Sequence, residues 1–129
     1  MKIFIIGPRE RKVKDEEHYV LYSNAETELC NCNHSPINPM RYAPKYFSSQ
    51  WTFMDIYKLD LAFIERADAV LVLDACKINE ETLDIKYDSV PIGSPLISRA
   101  EVELMYAKSL HKKIFKESDL NEWLKNVEL

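Results

Sequence analysis

Apolar residues fall along this chain in two alternating patterns: short unbroken runs, and rows spaced three or four apart. Lys2–Ile6 is an unbroken run after its first residue, closed by Gly7-Pro8, and it predicts a buried strand. Residues 69–73, Ala-Val-Leu-Val-Leu, form a second run with Asp74 at its end. Runs without polar interruption belong to strands covered on both faces, as in parallel sheets. Residues 52–67 carry Met54, Tyr57, Leu61 and Ile64 at helical spacing with charges between them, which predicts an amphipathic helix. Residues 17 to about 32, with His18, Tyr19, Val20, Tyr22, Ala25 and Leu29, read as another helix. Ser98-Arg-Ala-Glu101 is a capping-box pattern that opens a helix to about His111. A short strand at 113–115 and a terminal helix at 118–127, capped by Ser118 or Asp119, complete the regular elements.

The intervening stretches are less regular. Residues 9–17 are charged and read as a loop. Residues 35–39 contain two prolines, so they are extended rather than helical. Residues 40–51 form a loop rich in aromatics (Tyr42, Tyr46, Phe47, Trp51), and the polar stretch 76–92 could carry a small hairpin. Strands alternating with helices predict an α/β three-layer sandwich on a mostly parallel sheet of four or five strands, forming one domain over residues 1–129.

Composition narrows the partners. With 129 residues and 47% hydrophobic content, the chain can bury a core as a single domain. A net charge of -4 argues against a nucleic-acid polymer or a membrane surface, both of which favour a basic face. Three cysteines, no signal-peptide pattern and no apolar run of membrane-spanning length point to a reducing, cytoplasmic setting.

Few residues stand out as candidates for chemistry. The two glycines, Gly7 and Gly93, mark loops at the expected carboxyl edge of the sheet, where ligands bind in open α/β folds. A residue without a side chain suits a place where Cβ would obstruct or φ is positive. Ordinary turn glycines remain the alternative. Glu101 is explained by the capping box. Glu103, one turn inside the helix, has no such role; it is a candidate nucleophile if it faces a cleft, and a solvated residue otherwise. Asp60 sits mid-helix, exposed or in a polar contact at the site. Asp68 suits a turn before the buried strand. Cys30-Asn-Cys32-Asn-His34 lacks the spacing and ligand number of a zinc site, so no metal and no cofactor is expected. No G-x-G-x-x-G or Walker sequence is present. Arg9, Arg41, Ser98 and Arg99 could supply donors to a phosphate, aided by a helix N-terminus.

In order and spacing, several pieces resemble the nucleoside 2-deoxyribosyltransferase superfamily, including its nucleotide N-glycosidase relatives. They are Ile6-Gly7-Pro8, Ile37-Asn38-Pro39, the segment 60–68 (Asp-Leu-x-x-Ile-x-x-Ala-Asp), and Glu103-Leu-Met-Tyr-Ala107 running to Lys112. The resemblance implies a flavodoxin-like fold and cleavage or transfer at the N-glycosidic bond of a nucleoside or nucleoside 5′-monophosphate. It implies Glu103 as nucleophile and Asp60 assisting at the base. Gly7, Pro8, Arg9, Tyr19, Tyr42, Ser98 and Arg99 would line the substrate site, with Tyr19, Tyr22 or Tyr42 orienting the nucleophile. A homodimer or larger assembly is implied as well. Three features depart from the family pattern: the glycine before the nucleophile is displaced to Gly93, Ser98 lies five residues before Glu103 (103 − 98), and charged Arg9-Glu10 follows Gly-Pro. A non-catalytic nucleotide-sensing module on the same fold is the alternative reading, and an interaction protein with a degenerate site is a third.

Overall fold

The computed structural model describes residues 1–7, 15–41, 53–76 and 99–120, with side chains described for 1–7, 19–41, 58–75 and 100–120. Among the described residues four strands form one sheet: β1 (Lys2–Ile6), β2 (Ser35–Ile37), β3 (Ala69–Val72) and β4 (Lys113–Lys116). Their order is β2-β1-β3-β4 and every pairing is parallel. Three helices connect them: α1 (Asp15–Asn31), α2 (Phe53–Arg66) and α3 (Arg99–Ser109). This is the expected α/β sandwich with the flavodoxin-like order. No described helix is long and apolar enough to cross a membrane.

The unbroken apolar runs occupy the middle of the sheet for the reason that makes them unbroken. From Ile3 to Ile6 and from Ala69 to Leu73 every residue is buried, because side chains on both faces meet helices. One face collects Ile3, Ile5, Ala69, Leu71 and Leu73 against Tyr22, Ala25 and Leu29 of α1 and against Leu120. The other collects Phe4, Ile6, Val70 and Val72 against Ile64, Ala67, Ala100, Leu104 and Ala107, from α2, α3 and the turn after α2.

Several boundaries shift. α1 begins at Asp15, inside the stretch expected to be a loop; three acidic residues, Asp15-Glu16-Glu17, suit a helical first turn, where the dipole favours negative charge. Residues 35–37 of the extended segment pair with β1 as an edge strand, a position that tolerates Pro36. Ser118 and Asp119 lie in a 3-10 turn, Glu117–Asp119, that runs into helical Leu120; the rest of the expected terminal helix lies outside the described residues. Asp74 binds this turn: its Oδ1 accepts from the Ser118 amide at 3.2 Å, while its own amide donates to Glu117 Oε1 at 3.1 Å. The ends of β3 and β4 are thereby clasped together. At the opposite edge, Asp68 accepts from the Lys2 amide at 2.8 Å and donates its own amide to the Lys2 carbonyl at 2.8 Å, which confirms its turn role.

Candidate active site

The chain goes from β1 out to β2, then returns to β3 on the other side of β1. In open α/β sheets ligands bind at such a reversal, beyond the carboxyl ends of the strands. Gly7 directly follows β1 at that edge. A Cβ there would lie 2.6 Å from Leu73 Cδ1 and 2.8 Å from Tyr22 Cζ. Of the two reasons offered for glycine, steric obstruction is the one observed. Among the described non-glycine residues, positive φ occurs at Asn33 (63°) and His111 (57°), which end α1 and α3.

Asp60 and Glu103 are both fully buried. The solvent-exposed readings of the two residues are therefore overturned. Asp60 lies in the row Asp60, Ile64, Ala67 of α2 and its following turn, and Glu103 in the row Ala100, Glu103, Leu104, Ala107 of α3. A helical stripe about 100° wide leaves its centre uncertain by one residue. The sequence pattern centred the α2 stripe on Leu61, but Leu61 is half-buried and Asp60 takes the inner position.

The two carboxylates also share a level. Asp60 stands nine residues before β3 (69 − 60) and Glu103 ten before β4 (113 − 103). At about 1.5 Å per helical residue, both sit roughly 10–15 Å above the amino edge of the sheet. Strands of four or five residues end at roughly that height. Helices joining parallel strands run antiparallel to them, so the N-terminus of α3 also lies at the carboxyl edge. Neighbouring α2 and α3 are tied at the other end, where Tyr106 Oη donates to Glu65 Oε1 and Lys112 Nζ donates to the Glu65 carbonyl at 3.0 Å. The bond to Glu65 and burial push the Tyr106 hydroxyl pKa up.

The end of β2 holds a hydrogen-bond network. Asn38, buried, accepts from the Met40 amide at 2.9 Å, a turn that its position before Pro39 announces. Glu26 of α1 accepts from two nitrogens of the Arg41 guanidinium, Nε at 2.6 Å and Nη2 as well. Arg41, first among the causes, and Asn38 hold the Glu26 carboxyl below its usual pKa against the opposing effect of burial. Arg41, a candidate phosphate donor, is engaged by Glu26 instead.

The other expected site residues divide. Tyr22 is buried with its hydroxyl beside Gly7, whereas Tyr19 is 47% exposed on the same helix, on the sheet face opposite α2 and α3. Arg99 opens α3, but its side chain lies outside the described residues, as do Pro8, Arg9, Tyr42, Ser98 and Gly93. Among the described residues no group of three or more His, Cys, Asp or Glu could hold a metal ion.

This architecture is a nucleoside 2-deoxyribosyltransferase-like fold. It is similar to the solved 2-deoxyribosyltransferase of the psychrotolerant bacterium Bacillus psychrosaccharolyticus, described as a biocatalyst for synthesis of antiviral and antitumoral nucleosides. The TM-score is 0.59 at 21% identity, over 90% of this chain and 71% of that one. No protein-family model and no curated protein sequence matches the chain.

Proposed function

We propose that this protein cleaves or transfers the N-glycosidic bond of a nucleoside or nucleoside 5′-monophosphate. The observation that carries the reading is the pair of fully buried carboxylates, Asp60 and Glu103, on the two helices that cover one sheet face. Burying two acids in otherwise apolar rows costs free energy that folding does not need to spend. Such a placement is characteristic of groups kept for chemistry.

In this reading Glu103 attacks the anomeric carbon as the bond to the base nitrogen breaks. The bonding electron pair leaves with the base, and Asp60 assists its protonation. The glycosyl ester on Glu103 is then opened by water, in a hydrolase, or by a second base, in a transferase; either step restores the carboxylate. The positive end of the α3 dipole favours the ionised nucleophile. The same N-terminus, with Ser98 and Arg99, suits a 5′-phosphate.

The test is incubation of purified protein with nucleosides and 5′-monophosphates, with and without an acceptor base, read by chromatography for free base. Base release is expected from the wild type and is expected to fall at least about a thousandfold in Glu103→Gln, which keeps the side chain's shape. Acceptor dependence separates transferase from hydrolase. Thermal stabilisation by a nucleotide with no release from any substrate would replace this reading with the sensing module.

A further inference from the structure

α2 and α3 are in contact on one sheet face and bury one apolar cluster against it: Ile64 and Ala67 from α2 and its following turn, and Ala100, Leu104 and Ala107 from α3. Three of these five residues are alanines, which raise only shallow ridges against a neighbouring helix. Apolar burial is also non-directional. Such a contact fixes which faces meet but resists sliding along the helix axis only weakly. Directional bonds are found beside it. Tyr106 Oη of α3 donates to Glu65 Oε1 of α2, and Lys112 Nζ, from the turn after α3, donates to the Glu65 carbonyl at 3.0 Å. Hydrogen bonds weaken steeply with distance and angle, so two that converge on one residue set how far the helices have slid past each other.

Resting on the glycosidic reading above, we propose that Tyr106 and Glu65, with Lys112, form a positioning latch that holds Glu103 in register with Asp60. Asp60 precedes Glu65 by five residues (65 − 60) on α2, and Glu103 precedes Tyr106 by three (106 − 103) on α3. Each carboxylate is thus joined to the latch by an unbroken stretch of helix, and a slip at the latch is carried to it. A slip of one residue moves one carboxylate about 1.5 Å relative to the other. A misplacement of about 1 Å at reacting groups can cost on the order of a hundredfold in rate. The latch residues act through the two carboxylates and not on the substrate. Glu65 is exposed and Tyr106 half-buried, so their bond is poorly suited to a mainly stabilising role.

The experiment measures kcat and KM for base release from the nucleoside or 5′-monophosphate that the wild type turns over fastest, alongside the melting temperature. The variants are Tyr106→Phe, Glu65→Ala, Glu65→Gln and the double variant Tyr106→Phe with Glu65→Ala. Each of the first two is expected to lower kcat about tenfold with KM within about twofold of the wild type, because substrate binding is left in place. The double variant should lose no more than either single one, since the two residues act as one unit. Glu65→Gln keeps an acceptor oxygen for the tyrosine and should restore most of the kcat lost in Glu65→Ala. Melting temperatures should stay within about 3 °C of the wild type. A wild-type kcat in Tyr106→Phe would overturn the proposal. So would losses that multiply in the double variant, no recovery in Glu65→Gln, or losses that follow the melting temperature. A wild type inactive on every substrate would instead overturn the glycosidic reading, and this proposal with it.

Discussion

A methyl group on Gly7 would meet Leu73 Cδ1 at 2.6 Å and the Tyr22 hydroxyl at 2.9 Å, both in the packed face between α1 and the sheet. Neither neighbour is a free surface side chain; both are fully buried. Gly7→Ala must therefore displace a ring or a strand end, and overpacking of this kind costs about 1–3 kcal/mol. A denaturant titration should register that loss as a lower midpoint. A midpoint equal to the wild type would mean that the ring moves freely and that Gly7 is an ordinary turn residue. Glu103 makes a contrasting residue-scale prediction. Its isosteric Glu103→Gln variant should lose turnover while the folded state persists, because the change removes a charge and leaves the packing volume almost intact.

Two helices end in the same way without glycine. After α1, the His34 amide donates to the Leu29 carbonyl with Asn33 at φ 63°; after α3, the Lys112 amide donates to the Ala107 carbonyl with His111 at φ 57°. Both are left-handed caps of the Schellman type. Asn tolerates this conformation better than most residues with a side chain, whereas an ordinary residue there costs about 1–2 kcal/mol. His111→Gly should therefore stabilise the protein by about 1 kcal/mol, and Asn33→Gly by less. His111 is exposed, so the gain would not be masked by lost packing. Equal effects at the two caps in paired thermal melts would count against backbone strain as the cause. The caps matter to the site because the α3 turn hands the chain to β4 and so sets the level at which Glu103 stands.

At the scale of the whole molecule, stability should depend on pH in two windows of opposite sign. His34 is nearly buried and takes a hydrogen bond on Nδ1 from the N-terminal ammonium at 3.2 Å. Burial, then the ammonium charge, depresses its pKa below the ordinary 6.5. The unfolded chain therefore binds this proton more readily, and the stability His34 contributes above pH 6.5 is lost as pH falls below that value. Glu117 is shifted the other way: burial first, then the nearby Asp74 and Glu28 charges, raise its pKa above 4.5 against the lowering effect of the Asp74 amide. Its contribution is present below pH 4.5 and is lost as pH rises through the raised value. Unfolding free energies across this range should show His34→Gln flattening the first window and Glu117→Gln the second. Slopes unchanged in both variants would sink the assignment.

The order of elements was legible because it rests on local patterns. Unbroken apolar runs such as 69–73 have one stable home, the middle of a covered sheet, and the capping box at Ser98 announced the helix that is described from Arg99 on. The family-level resemblance lay in the same local pieces, and it pointed to Glu103 and Asp60 before their surroundings were known. Whether those carboxylates face solvent or core was beyond the pattern. A periodicity treats any acid as a marker of the wet side, and one residue's rotation of a helix exchanges Leu61 for Asp60. The reason for Gly7 was equally out of reach, since Leu73 and Tyr22 approach it from distant parts of the chain. So were the fork of Arg41 onto Glu26 and the clasp of Asp74 with Glu117, whose partners are 15 and 43 residues apart. The sequence by itself determined strands, helices and the residue types available for chemistry, because those follow from near neighbours. Only the tertiary structure decided which of these residues are buried, because burial is set by what the rest of the chain packs against them.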